Sequence, residues 1–216
     1  MTDKQDIFGY ESLAFFGKVN ASISHELKNV MAIISETAGL LGDLTEMASS
    51  GNPIELEALK SCTESIAEEI QRGFLTIKQM NRFSHSIDTP VESVNIQDLL
   101  DLVRNLCGYL AFTGKISVQP CEGFQPIAVT SPFLLQAIIY QAMSESFQHA
   151  GQGAEITIHI QPIDESAWRL VFSGFGVNEF HAFPDECTQK FADLIGVAIH
   201  WDRSADRLEL EVPLSI

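Results

Sequence analysis

The residues with the clearest chemical potential form a run of six, Ser24-His25-Glu26-Leu27-Lys28-Asn29, in which a histidine is followed by a carboxylate, an ammonium and an amide. An imidazole ordinarily titrates near ~6.5, so at neutral pH it is largely uncharged and carries a lone pair that can attack an electrophile. The nearest apolar positions, Ile23 and Leu27, lie two residues away on either side. At ~100° per residue on a helix, His25 therefore points well away from them. Read in steps of three and four, its own face is Lys18, Ser22, His25, Asn29, Ala32 and Glu36, a polar face suited to solvent. Ala21, Ser22 and Ser24 are small, which lets another protein come close to the ring.

The element that must carry this face is a long helix over residues 7–48, a stretch without proline. Its apolar or small residues recur in steps of three and four at Leu13, Phe16, Val19, Ile23, Leu27, Val30, Ile34, Ala38, Leu41, Leu44 and Ala48, a bundle-type seam. Ser49-Ser50-Gly51-Asn52-Pro53 breaks the helix, and Pro53 suits the first turn of a second one. The second stripe runs through Leu59, Cys62, Ile66, Ile70, Phe74, Ile77, Met80, Ser84 and Ile87. Two antiparallel helices of this kind cannot bury both stripes alone, so residues 1–90 are expected to form a helical hairpin that closes a four-helix bundle with a second copy.

After Asp88-Thr89-Pro90 the texture changes. Asn95 is placed to cap a short amphipathic helix running to Leu110. Alternating runs at 115–119, 127–130, 155–161, 168–172, 197–201 and 207–212 read as strands, with helices at 131–150 and 187–196. Residues 91–216 are therefore expected to form an α/β sandwich, and the whole chain an α+β protein of two domains.

Composition narrows the partners. The 216 residues are 45% hydrophobic and 19% charged, which excludes a disordered chain. With 29 acidic against 13 basic residues, a net charge of −16 opposes binding to nucleic acid. The longest apolar stretch, Phe133 to Met143, falls short of the ~20 residues that span a bilayer, and the polar start MTDKQDIFGY is unlike a signal peptide. A cytoplasmic protein is expected, with no membrane partner. Cys62, Cys107, Cys121 and Cys187 show no metal-ligand spacing and read as reduced, packed thiols.

The run around His25 resembles the H-box of sensor histidine kinases, whose dimerisation and histidine-phosphotransfer domain is a hairpin in a dimeric four-helix bundle. The resemblance implies that His25 is the phospho-acceptor and that Glu26 is the acid that orients the ring or accepts its proton. It puts Asn29 where family members aim water during phosphatase action. Val30 stands where that family commonly has proline. An adjacent carboxylate would steady positive charge developing on the ring. Lys18 and Lys28 are candidates to neighbour the phosphoryl group, with Arg72 or Arg82 as further cations.

The second half is similar to the family's ATP-binding domain in the order of its elements, but its nucleotide residues are missing. The N-box asparagines fall on Glu145 and Gln141, counted back from His149. The Asp-x-Gly-x-Gly box reads Phe172-Ser173-Gly174-Phe175-Gly176, and a phenyl ring cannot accept the adenine amino hydrogen bond. Val177 to Cys187 is too short for the usual ATP lid. Residues 1–90 carry 7 basic and 13 acidic side chains, net −6, and the remainder 6 and 16, net −10, so the second half is a poor host for nucleotide phosphates.

A bundle that keeps its histidine beside an ATPase-like domain that has lost its site is similar to the dimeric histidine phosphotransferases. The resemblance implies a phosphotransferase-like protein that relays a phosphoryl group between the receiver aspartates of a hybrid kinase and of a response regulator. It would need no cofactor of its own, since the receiver supplies Mg2+. Two alternatives remain open: an ATP-dependent sensor kinase with a divergent ATP site, and a non-catalytic dimeric pseudokinase regulator.

Overall fold

The computed structural model describes all residues except 1, 108–113, 122, 151–152, 165, 176–182 and 203–204, with the side chains of 2–8 and 148–149 also outside the description. The chain divides into two compact units, Asn20–Arg82 and Met1–Val19 with Phe83–Ile216. The architecture is α+β, a long helical hairpin followed by a mixed sheet with helices.

The hairpin consists of α1 (Thr2–Ser49) and α2 (Leu56–Ser84). Gly51 ends α1 with φ +91°, a left-handed conformation that suits glycine, and its N–H donates to the Ala48 carbonyl at 2.9 Å. Asn52 Nδ2 donates to the Met47 carbonyl at 3.3 Å, so this side chain closes α1 instead of capping the next helix. Pro53 accordingly lies in the connector and α2 begins at Leu56, later than its sequence suggested.

Within the hairpin unit, Ile23 and Val30 of α1 and Cys62 and Thr76 of α2 are buried. Gly73 lets the helices approach: a Cβ there would lie 3.3 Å from Val30 Cγ1. The expected second stripe splits in two. Cys62 turns inward, whereas Ile70, Phe74 and Ile77 are 41%, 64% and 43% exposed on the flank. A run with steps of three and four is wide enough on a helix to cover both an inner face and a flank, which is why a single stripe was read.

In the sheet unit, β2 (Gly114–Gln119), β4 (Ala154–Ile163), β5 (Ala167–Ser173), β7 (Arg207–Pro213) and β6 (Ala198–Asp202) form one sheet in that order. The β2–β4 pair is parallel and the others are antiparallel. Alternation sets the faces: Ile156, Ile158 and Ile160 on β4 and Leu208, Leu210 and Val212 on β7 are buried. A two-stranded ribbon pairs β1 (Glu92–Asn95) with β3 (Ile127–Thr130). Strand β1 was not read from the sequence. Trp168 ties ribbon to sheet through Nε1, which donates to the Ile127 carbonyl at 3.0 Å.

Three helices complete the unit: α3 (Ile96–Leu106), α4 (Pro132–Ala150) and α5 (Glu186–Leu194). Asn95 caps α3 as expected, its side chain accepting from the Asp98 N–H at 3.3 Å. Helix α4 packs on α3, α5 and β4 and is buried over most of its circumference, with Leu135, Ile138, Ile139, Tyr140 and Met143 inside. The first turns of α1 also belong here. Phe15 is buried with its ring centroid 5.6 Å from Phe83, 5.4 Å from Phe133 and 5.4 Å from Tyr140. Leu13, assigned to the seam by spacing, is instead 68% exposed. Among the described residues no helix is long and apolar enough to cross a membrane.

Candidate functional site

His25 sits on the hairpin as an exposed ring. Its Nδ1 lies 3.3 Å from Asn29 Nδ2, one helical turn later, the i,i+4 geometry that brings two side chains together on one face. The neighbouring carboxylate is paired across the hairpin. Glu26 Oε1 accepts from Arg72 Nε at 2.8 Å, and Arg72 Nη1 in turn donates to Glu69 at 2.9 and 3.0 Å. Arg72 thus ties α2 to α1 beside the histidine. The Glu26 hydrogen bond is the main reason that the Arg72 pKa stands above its ordinary value.

These positions assign each expected residue a place. His25 and Asn29 are brought together, and Glu26 is held by Arg72. Lys28 is exposed on the same hairpin. Lys18 belongs to the sheet unit, where it lines a small cleft of about 70 Å³ with Glu11, Phe15, Gln141, Asp185, Cys187 and Phe191. Burial first, then the nearby Glu11 and Asp185 carboxylates, push the Cys187 thiol up to about 11. Burial likewise raises the Cys107 thiol, and all four cysteines are free. Among the described residues no group of three or more His, Cys, Asp or Glu side chains is arranged to hold a metal ion.

Around Phe172-Ser173-Gly174-Phe175 the sheet unit is apolar. Phe172 on β5 is fully buried in the core. Gly174 follows with φ +99°, and a Cβ there would collide with the Glu155 carbonyl oxygen, so the turn requires glycine. Phe175 is buried and its ring centroid lies 5.5 Å from Trp201. Gln141 and Glu145 are both half-buried on α4. The side chain of His149 and most of the short stretch after Gly176 lie outside the described residues.

Sequence reasoning missed two features. It offered Arg72 only as a cation for a phosphoryl group, because nothing local links it to Glu26, 46 positions away. It also missed a cavity of about 760 Å³ in the sheet unit, lined chiefly by apolar side chains such as Ile87, Val91, Phe133 and Leu194.

No family model matches the chain. No curated protein sequence matches it either. Solved structures similar in fold include histidine kinase AdeS of Acinetobacter baumannii, with 8% identity, 88% of this chain and 98% of that one covered, and a TM-score of 0.47. The cytoplasmic segment of histidine kinase QseC has 15% identity, 67% and 93% coverage and a TM-score of 0.43. Histidine kinase ThkA, solved in complex with response regulator protein TrrA, has 16% identity, 97% and 67% coverage and a TM-score of 0.44. With so little identity and scores below 0.5, what the chain does must be read from its own residues.

Proposed function

We propose that the chain is a histidine phosphotransferase of a two-component relay, with His25 as the residue that carries the phosphoryl group. The observation that supports this most directly is the placement of His25 as an exposed ring on the polar face of a helical hairpin, in contact with Asn29 and open to a docking protein. A ring nitrogen attacks the phosphorus of an aspartyl phosphate on a receiver, and the P–O bond to that aspartate breaks with its electron pair returning to the carboxylate. The phosphoryl group then passes to the aspartate of a second receiver. Magnesium in this scheme comes from the receiver, and the buried Phe172 offers no adenine acceptor, which favours a protein donor over ATP.

The functional form in this proposal is a homodimer. On α1, Leu27, Met31, Ile34 and Ala38 share one flank, and on α2 Ile70, Phe74 and Ile77 share a flank offset in the same angular sense. In an antiparallel pair, equal offsets fall on the same side, so these residues make one apolar face. Met31 and Phe74 are 62% and 64% exposed there, and a second hairpin would cover them. The His25 face lies on the opposite flank and stays open.

A radiolabelled phosphoryl group on a purified hybrid-kinase receiver is expected to move to the wild-type chain and not to His25→Ala. Equal labelling of both proteins would overturn the reading. Incubation with labelled ATP and magnesium, without a receiver, distinguishes the ATP-dependent kinase, which would label itself. Sedimentation of Phe74→Glu tests the dimer, since a charge on the apolar face is expected to leave a monomer.

A further inference from the structure

The one ring contact described at His25 is with Asn29, and it has a consequence for which nitrogen reacts. The Asn29 amide reaches Nδ1 at 3.3 Å, and the end of the amide that faces the ring decides the tautomer: with Nδ2 there, Nδ1 accepts and a neutral imidazole keeps its proton on Nε2. A ring in that state has no lone pair on its outer nitrogen. A half-turn of the Asn29 amide about its terminal torsion puts Oδ1 where Nδ2 was, with almost the same shape. The exposed ring gives its Nε2 proton to water and takes one up at Nδ1, so that Nδ1–H donates to Oδ1 and Nε2 carries the lone pair. The adjacent carboxylate, the natural competitor for the Nδ1 proton, has one oxygen taken, since Glu26 Oε1 accepts from Arg72 Nε.

We propose that Asn29 is the positioning residue that selects the tautomer of His25, holding the ring proton on Nε2 while Nδ2 faces the ring and, with its amide turned, arming Nε2 as the nucleophile. This rests on the phosphotransfer reading and specifies how the same site is held silent and switched on. In the armed state the Nε2 lone pair forms the N–P bond while the P–O bond to the receiver aspartate breaks and its electron pair stays on the carboxylate. No proton has to move. The product is an imidazolium whose Nδ1–H remains bonded to Asn29 Oδ1, and the onward transfer reverses these steps.

Nitrogen-15 NMR of the histidine rings in the full chain, at a pH where His25 is neutral, tests the tautomer directly. Wild type is expected to carry its proton mainly on Nε2. Asn29→Asp, whose side chain can only accept, is expected to carry it mainly on Nδ1, and Asn29→Ala to fall between. Phosphoramidate serves as a donor that needs no partner protein: its P–N bond breaks and ammonia leaves. It should place the phosphoryl group on Nε2, and Asn29→Ala should accept it about fivefold more slowly than Asn29→Asp, the effect of one lost hydrogen bond. Identical tautomers in all three proteins, or a phosphoryl group on Nδ1, would overturn the assignment while leaving His25 a phospho-acceptor. Tautomers that shift as expected while neither phosphoramidate nor a phosphorylated receiver labels His25 would uphold the role of Asn29 and overturn phosphotransfer.

Discussion

The hairpin and the sheet unit treat their chemically suggestive positions in opposite ways. On the hairpin, His25 stands in solvent beside Asn29, and the Glu26 that follows it in the chain is bonded to Arg72, the two side chains being 41% and 39% exposed. In the sheet unit, the position that resembles an adenine acceptor is Phe172, with no exposed surface at all, set between buried neighbours on β4 and β7. Residues that support a fold resist substitution because the core closes around them, whereas exposed polar residues are free to serve a partner. In the proposed relay, the sheet unit supports the fold and the hairpin carries the reacting residue.

The largest expected effect separates these roles. Phe172→Ala should destabilise the sheet unit by about 3–5 kcal/mol, the usual loss for a buried phenyl group. His25→Ala should leave stability within about 0.5 kcal/mol, since a solvent-exposed side chain is lost, yet abolish labelling by a phosphorylated receiver. Both tryptophans, Trp168 and Trp201, lie in the sheet unit, so their fluorescence in urea follows that unit, while loss of helical circular dichroism follows the hairpin. A stability loss of several kcal/mol in His25→Ala would erase the contrast.

Next in size is Gly174→Ala. The left-handed backbone alone costs a side chain about 1–3 kcal/mol, and the collision with the Glu155 carbonyl adds to it. Tryptophan fluorescence should again report the loss. An Ala variant as stable as wild type would mean that the turn can move, and that the region after β5 is less fixed than the hairpin.

Much of this contrast was legible in the sequence, and the illegible part has physical causes. The face of His25 was readable because its members are three and four residues apart on one helix. Strands β4 and β7 were readable because Ile156, Ile158 and Ile160, and Leu208, Leu210 and Val212, alternate with polar residues. The Glu26–Arg72 bond was not, because it joins two helices across 46 positions and spacing carries no signal at that range. Strand β1 was missed because Glu92-Ser93-Val94-Asn95 has one apolar residue and takes its stability from pairing with β3. In α1, Leu13, Phe15 and Phe16 all lie within one turn, so only packing on Phe83, Phe133 and Tyr140 selects Phe15 for burial.

A smaller effect belongs to Asn95→Ala, which removes the acceptor for the Asp98 N–H at the start of α3. About 1 kcal/mol should be lost from the sheet unit in a urea titration. An unchanged midpoint would show that α3 is held by its buried face of Leu99, Leu102 and Val103 without help from its cap.

The smallest predicted effect probes the reacting side itself. Arg72 and Glu26 are close in geometry but both more than a third exposed, so water and salt screen the pair and its coupling should lie between about 0.2 and 1 kcal/mol. A double-mutant cycle of Glu26→Gln and Arg72→Gln, read by loss of helical circular dichroism in urea, measures that coupling, and added salt should reduce it. With so weak a tie, neither variant is expected to unfold the hairpin, and both leave His25 and Asn29 in place. Labelling by a phosphorylated receiver should therefore persist in Arg72→Gln. A coupling above about 2 kcal/mol would mean that the pair acts as a buried strut, and the hairpin face would then resemble the sheet unit after all, a surface constrained by its own packing before any partner arrives.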